Sequence, residues 1–288
     1  MKYSENVFRK KCLENLNALS PILNNLSVTT YKYMPHHEFE ILMSKNFNEG
    51  LRQYWTEILY RAHFASVSSL QRNHQWILGM ELSYQNNLFL PFASCFRALI
   101  ESAADTFDGF DGVPLALAQK SKTINKILTS KYRDKAVFIS RELEDKLIHF
   151  SHGRKINRTE YAPDSHKTKS AAQYINKLDK SGATKLYECY SELCEYVHPA
   201  ARSTANFVAS IDENTHIFSA GFDREKIESL MLNYENVFEI VLSSAFTPGV
   251  VTLKILRKLS EPTCQLEVVD KVSAVNIPLW NKCIKYMK

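Results

Sequence analysis

Glycine and proline are scarce in this sequence, with 8 glycines and 9 prolines among 288 residues. Folds built from many short strands need frequent turns, and these two residue types supply most of them. Their scarcity argues against an all-β protein and favours helices.

Several sequence motifs that indicate a particular cofactor or catalytic mechanism are also absent. The six cysteines are scattered without a Cys-x-x-Cys pair, so the sequence suggests neither a zinc ribbon nor a thioredoxin-like site. It also lacks a Gly-rich phosphate loop and a Gly-x-Ser-x-Gly nucleophile elbow. We therefore predict reduced thiols, no cofactor and no metal site.

Long apolar runs are missing as well. The segment Met1–Asn6 lacks the apolar core of a signal peptide, and no stretch approaches the roughly 20 apolar residues of a membrane span. We expect a cytoplasmic protein without a membrane partner. The net charge of +5 permits an anionic partner such as RNA but does not require one.

What the sequence does have is helical periodicity. The hydrophobic fraction of 45% and the charged fraction of 23% are ordinary for a globular protein, and apolar residues recur at intervals of three and four. This pattern predicts an all-α fold, a multi-helix bundle with long antiparallel helices. We divide it into an N-terminal helix and connector (1–46), a helical core (47–210), and C-terminal helices packed on the same domain (211–288).

The predicted helices have approximate bounds, and the segment 211–222 is predicted to be a loop or short hairpin. The helices are Ser4–Asn25, Glu38–Met43, Phe47–Asn86, Pro91–Phe107, Val113–Ser130, Asp134–His152, Lys169–Leu178, Ala183–His198, Ala200–Ala209, Asp223–Pro248 and Val250–Leu259. We expect Pro21 to kink or divide the first, and Asp223 to cap the tenth.

The fourth predicted helix carries a charged stripe made of Arg97, Glu101 and Asp105, spaced four residues apart. Its apolar side chains occupy the opposite side of the helix. Two interpretations stay open. The stripe is either a solvated face or a partly buried polar stripe that a neighbouring helix covers, since small residues flank it and permit close approach.

The longest predicted helix, Phe47–Asn86, carries two arginines on one face. Arg61 and Arg72 are eleven residues apart, close to three full turns. They are either solvated cations or a pair of positive groups lining a cleft, where they would hold phosphate.

A helix that ends near Gly153 places Asp145, His149 and His152 at the i, i+4, i+7 spacing. Such spacing can bind a metal or orient a histidine for proton transfer. Histidines in a last turn also interact favourably with the helix dipole and need no other role. Arg154 opens a short basic loop, 154–158, which is a plausible phosphate contact.

His198 precedes Pro199, which disfavours the helical conformation at the histidine. We therefore expect His198 to lie at a bend between two helices, half covered and held in place, where it is a candidate for acid–base chemistry. Arg202 follows one turn later. Glu195 and His198 also show the Glu-x-x-His spacing of di-iron bundles, which need two such pairs and two more carboxylates.

Four segments together carry a resemblance to a family. They are Tyr60–His63, Phe96–Asp105, Leu143–Phe150 and Leu193–Pro199. They resemble a group of uncharacterised bacterial helical proteins over about residues 50–210, and that group is in turn similar to the HEPN superfamily of helical toxins and phage-defence ribonucleases. The resemblance implies a homodimer in which an arginine and a histidine meet. The HEPN spacing of Arg and His on one helix does not occur here, so the two would come from different helices, with Arg97 and His198 as the natural pair.

Two functional hypotheses follow. The first is a metal-independent ribonuclease of a bacterial defence or toxin system, in which His198 or His149 takes a proton from the ribose 2′-hydroxyl, Arg97 or Arg61 stabilises the phosphorane, and Glu101 orients the cation. Basic side chains would bind the substrate: Arg61, Arg72, Arg154 and Arg202. The second is a non-catalytic binding, adaptor or regulatory protein of such a system, with a protein partner in place of RNA.

Overall fold

The computed structural model describes residues 3–26, 28–133, 136–157, 159–210, 212–219 and 221–288, and within them the protein is built almost entirely of helices. The predicted all-α fold is confirmed. The helices are α1 (Glu5–Leu23), α2 (His36–Lys45), α3 (Phe47–Gln85), α4 (Phe89–Gly109), α5 (Val113–Leu128), α6 (Arg141–His152), α7 (Ala171–Lys180), α8 (Leu186–Val197), α9 (Ala201–Ala205), α10 (Asp223–Asn233), α11 (Glu235–Leu256) and α12 (Pro278–Met287). Strands β1 (Val208–Ser210) and β2 (His216–Phe218) pair antiparallel, with Val208 opposite Phe218.

The chain divides into two compact units, each assembled from three segments. The first unit comprises Met1–Asn17, Gln71–Asp108 and Ser170–Phe246, and the second comprises Ala18–Leu70, Gly109–Lys169 and Thr247–Lys288. The division predicted from the sequence follows chain order, whereas each unit combines segments that are distant along the chain.

Helix α3 is the longest, with 39 residues, as the absence of proline predicts. The apolar and small side chains predicted to form its inner stripe are buried: Leu51, Trp55, Ile58, Ala62, Ala65 and Ser69. The helix ends where Asn87 adopts a left-handed conformation with φ of 54°. The amide of Leu88 then donates to the carbonyl of Ser83, which closes a Schellman-type end.

Aromatic side chains pack in the cores of both units. In the first unit, Phe238 contacts Phe8 and Phe96, with ring centroids 5.5 and 5.7 Å apart. In the second unit, the indole of Trp55 stacks on Phe138 at 5.4 Å and donates from Nε1 to the Phe138 carbonyl at 2.8 Å. Each core thus buries large apolar rings, whose removal from water stabilises the fold.

The predicted start of the sixth helix near Asp134 is wrong. The helix begins at Arg141, and Asp134 itself lies outside the described residues. The segment directly before Arg141 is held in a non-helical conformation by two hydrogen bonds. The Phe138 carbonyl accepts from Trp55, and the Ser140 amide donates to the Tyr54 hydroxyl at 3.0 Å. Tertiary hydrogen bonds therefore outweigh local helix propensity there.

Two further predictions about helix ends are corrected. Asp223 does not cap α10; its carboxylate instead accepts from the amide of Phe89, the first residue of α4, at 3.0 Å. Pro248 does not end a helix but lies inside α11, and a break at Tyr234 separates α10 from α11. The predicted end of α6 is confirmed, since the helix ends at His152, directly before Gly153.

The predicted helix Ala200–Ala209 is wrong over its second half, since α9 ends at Ala205 and β1 follows. The expected hairpin forms, but it begins three residues earlier than 211, at Val208.

Within the described residues, α11 is long and apolar enough to cross a membrane by length and composition alone. Of its most apolar window, 72% is buried inside the protein. A core helix passes the same test.

Candidate functional site

A short backbone pairing builds the most distinctive polar site of the second unit. After α6 ends, the amide of Arg154 donates to the carbonyl of His166 at 2.9 Å, and the amide of Thr168 donates to the carbonyl of Arg154 at 3.1 Å. His166 closes a single 3₁₀ turn, Asp164–His166. These two hydrogen bonds bring that turn beside the C-terminal end of α6, where His152 is the last residue.

The imidazole rings of His152 and His166 stack as a consequence. Their centroids are 4.9 Å apart and their planes differ by 25°. The Nδ1 atom of His152 lies 2.8 Å from the hydroxyl of Ser151, and no hydrogen bond among the described residues uses its Nε2. That nitrogen is therefore available to a ligand.

Two arginines add positive charge around His152. Burial lowers the pKa of His152, and the neighbouring His166 ring and the charges of Arg61 and Arg154 lower it further. A histidine with a lowered pKa is neutral over more of the physiological pH range, which is the form that accepts a proton. Together, Arg61, His152, Arg154 and His166 form what we call the histidine–arginine site.

The two arginines are held differently. Arg61 projects from α3, and its guanidinium lies 4.8 Å from the ring centroid of Tyr33. Within the part of the chain that the structure describes, it forms no ion pair. Arg154 pairs with Glu160 and approaches the carbonyl of His152 at 3.4 Å. Arg61 is thus the cation whose charge is not already matched by a carboxylate.

This arrangement can bind an anion and move protons at it. Guanidinium groups bind phosphate oxygens through paired hydrogen bonds. Two adjacent imidazoles can supply one proton acceptor and one proton donor. The ring of Tyr33, which is 39% exposed, offers a face on which a base can stack.

The charged stripe predicted on α4 lies in the first unit and is partly buried. Arg97 Nε lies 3.2 Å from Glu101 Oε1, with side chains 26% and 31% exposed. Tyr190 donates to the same carboxylate oxygen at 2.9 Å, and burial together with this carboxylate raises the tyrosine pKa. Of the two interpretations left open by the sequence, the covered polar stripe is the one observed.

Arg72, a predicted substrate-binding residue, completes the stripe instead of lining a cleft. It pairs with Asp105 at 2.6 Å and also donates to the Ser102 carbonyl and the Thr106 hydroxyl. With three acceptors, its guanidinium is fixed in place. Arg61 and Arg72, predicted as a pair on one face, thus have separate partners in separate units.

His198 lies at the bend between α8 and α9, as predicted, with φ of −74° and ψ of 144°. Its side chain is exposed, so the expectation that it is half covered is wrong. The reason is that the chain bends at Pro199, and within the described ranges no other side chain makes a ring contact or hydrogen bond with the imidazole. Among the described residues, no hydrogen bond, ion pair or ring contact joins His198 to Arg97.

Arg202 and His149 also have contacts of their own. Arg202 pairs with Glu195 and with Glu192 at 3.2 Å. His149 contacts Phe150, with centroids 5.4 Å apart. Within the described ranges, no group of three or more His, Cys, Asp or Glu side chains is placed to hold a metal ion.

Sequence reasoning selected Arg61, Arg154 and His152 but missed His166 and Tyr33 as their neighbours. Both lie in irregular segments, so no periodicity places them beside a helix. Two signals in the sequence pointed to this region, the histidines in the last turn of the helix and the basic loop that begins at Arg154. The last predicted member of that loop, Arg158, lies outside the described residues.

Comparison with known proteins gives no relative: no family model, no curated protein and no solved structure matches this chain. The function is therefore argued from the histidine–arginine site itself.

Proposed function

We propose that the protein is a metal-independent endoribonuclease whose reacting groups are those of the histidine–arginine site. The observation that carries the proposal is the stacked pair of His152 and His166, 4.9 Å apart, beside two arginines. A phosphodiester bound there would meet a proton acceptor, a proton donor and positive charge at once.

The reaction is a transfer of the phosphoryl group to the neighbouring 2′-oxygen. Neutral His152 accepts the proton of the ribose 2′-hydroxyl through Nε2 as the 2′-oxygen bonds to phosphorus. The bond from phosphorus to the 5′-oxygen breaks, and protonated His166 donates its proton to that oxygen. Arg61 and Arg154 stabilise the extra negative charge on the phosphorane. The products are a 2′,3′-cyclic phosphate and a 5′-hydroxyl.

This assignment changes the roles proposed from sequence. The proton acceptor is on α6, as the hypothesis for His149 had it, but one turn further along at His152. The cation is Arg61 rather than Arg97, because Arg97 already faces Glu101 at 3.2 Å. Arginine and histidine come from different helices, which the resemblance to the HEPN superfamily also required.

The experiment is cleavage of a fluorescently labelled single-stranded RNA by the full chain in the presence of EDTA. We expect fragments that end in a 2′,3′-cyclic phosphate, identified by mass spectrometry. An oligonucleotide of the same sequence with 2′-deoxyribose throughout should stay intact, because it lacks the attacking hydroxyl. Cleavage of the deoxy oligonucleotide, or the absence of any cleavage of RNA, would refute the proposal.

A second candidate function is binding without cleavage, as in a regulatory or adaptor protein. The exposed Tyr33 ring beneath Arg61 favours it, since an aromatic face beside a cation is typical of single-strand recognition. In that case fluorescence anisotropy would show RNA bound with an affinity that falls steeply with salt, and Arg61→Ala would weaken binding while RNA stays intact in every preparation.

A further inference from the structure

The first unit contains a cavity of about 340 Å³ that is separate from the histidine–arginine site. Helices α8, α9 and α10 supply most of its wall. Its volume is within the usual range of small-molecule sites, about 300 to 1,000 Å³.

The acidic side chain of the cavity wall, Glu192, already has partners within the protein. Glu192 accepts from Tyr196 at 3.0 Å and from Tyr234 at 2.6 Å, and it pairs with Arg202 at 3.2 Å. Arg202 also pairs with Glu195 and lies 4.9 Å from the ring centroid of Tyr196. Each of these side chains therefore has a hydrogen-bond or ion-pair partner within the protein.

Lys226 and Asn206, which also line the cavity, are not satisfied in this way. Lys226 donates to the backbone carbonyl of Asn206, and among the described residues no carboxylate pairs with it. Asn206 is 6% exposed, and its side-chain Nδ2 has no hydrogen-bond acceptor in the described part of the chain. A buried N–H group without an acceptor is costly. A ligand in the cavity that Asn206 lines would supply the missing acceptor.

Apolar side chains border these donors. Phe89 and Leu230, both nearly fully buried, belong to the cavity wall. Phe89 is fixed by an edge-on contact with Tyr196, with centroids 4.8 Å apart. A ligand that contacts both the N–H donors and the apolar side chains of the wall therefore combines one anionic group with an apolar portion.

We infer that this cavity binds a small organic acid, a molecule with one carboxylate or phosphate group attached to an apolar or aromatic portion. The anionic group accepts from the Lys226 ammonium and the Asn206 amide, and the apolar portion lies against Phe89 and Leu230. The site is independent of the proposed ribonuclease function, since the two sites share no residue.

The test is isothermal titration of the full chain with three probes that share a naphthalene ring: 1-naphthoate, 1-naphthyl phosphate and neutral 1-naphthamide. We expect one acid to bind saturably, one molecule per chain, and at least about tenfold more tightly than the amide, because a charged acceptor makes the stronger hydrogen bond. Whichever acid binds more tightly identifies the head group. If none of the three saturates, or if the amide binds as well as the acids, the inference is wrong.

Two variants locate the binding. Lys226→Met removes the cation and should therefore weaken binding of the preferred acid by about tenfold or more. Ser229→Phe, at an exposed position of the cavity wall, should block the cavity without removing charge, so it decides the question even if Lys226→Met misfolds. Arg61→Ala serves as the control and should bind like the wild type. Unchanged binding in Ser229→Phe would overturn the assignment, and loss in Arg61→Ala would place the acid at the other site.

Discussion

His152, at the end of α6, and His166, in a 3₁₀ turn fourteen residues later, stack with ring centroids 4.9 Å apart. The pairing depends on two backbone hydrogen bonds of Arg154, which also brings its guanidinium to the same place. One short segment thus supplies two imidazoles and a cation.

Removing the charge of Arg61 should raise the pKa of His152. Burial, the His166 ring and the two arginines all lower that pKa, so loss of one positive neighbour moves it back toward its ordinary value. An NMR titration of the His152 ring proton in Arg61→Ala measures the change. Arg52→Ala, on the same helix but paired with Glu49, should leave the titration unchanged. Identical titrations in wild type and Arg61→Ala would show that Arg61 does not act on His152.

His63 should make the protein less stable in acid. Its side chain is 4% exposed, Nδ1 lies 2.7 Å from the Tyr31 hydroxyl, and burial lowers its pKa from 6.5 to about 4. Between these pH values the unfolded chain binds a proton that the folded chain does not. The contribution of neutral His63 to the free energy of unfolding is therefore complete above pH 6.5. It falls by about 3 kcal/mol as the pH drops toward 4.

Urea unfolding of wild type and His63→Gln between pH 7 and pH 4 measures this effect. The variant should lose less stability on acidification than the wild type, whereas His37→Gln, at an exposed position, should match the wild type. Equal pH dependence in all three proteins would be inconsistent with a neutral, buried His63.

Asp223 should stabilise the start of α4 rather than its own helix. Its carboxylate accepts from the amide of Phe89 at 3.0 Å, one of the N-terminal amides that a helix leaves without a partner. Asp223→Ala should lower the free energy of unfolding by about 1 kcal/mol, measured by urea denaturation. Asp223→Asn keeps a hydrogen-bond acceptor, so its free energy of unfolding should fall less. Glu225→Ala, at an exposed position of the same helix, should have nearly the stability of the wild type. A variant Asp223→Ala as stable as the wild type would rule out this role.

Arg97 should matter for stability rather than for cleavage. Its partner is Glu101 at 3.2 Å, so Arg97→Ala should lower the free energy of unfolding by at most about 1 kcal/mol and leave RNA cleavage unchanged. The hypothesis drawn from sequence, with Arg97 and His198 as the reacting pair, expects the opposite. Loss of cleavage in both Arg97→Ala and His198→Ala, with unchanged melting temperatures, would favour that pair over the histidine–arginine site.

The helices were largely predictable because their signal is local. The stripe of α3 from Leu51 to Ser69 repeats at the helical period, and its burial follows from that pattern. Boundaries were missed where distant residues decide them. The segment before Arg141 is held by hydrogen bonds to Tyr54 and Trp55. The carboxylate of Asp223 accepts from the amide of Phe89, which is more than a hundred residues earlier in the chain.

The candidate site was predictable only in part, for the same reason. Arg154 and His152 could be selected because a basic loop follows a helix that ends in histidines. The stacking of His166 on His152 depends on a backbone hydrogen bond between Arg154 and His166 within a loop. No periodic pattern in the sequence predicts this pairing. The partners of the α4 stripe, Arg72 and Tyr190, belong to other helices, so their contacts depend on tertiary packing.

The most direct test of the histidine–arginine site is the rate of RNA cleavage in His152→Ala and His166→Ala, compared with His37→Ala at an exposed position of α2. Removal of a group that transfers a proton in the transition state slows a reaction by about 10²- to 10⁴-fold. We expect losses of that size in the first two variants, circular dichroism spectra like that of the wild type, and full activity in His37→Ala. Cleavage at the wild-type rate by a folded His152→Ala or His166→Ala protein would contradict the assignment.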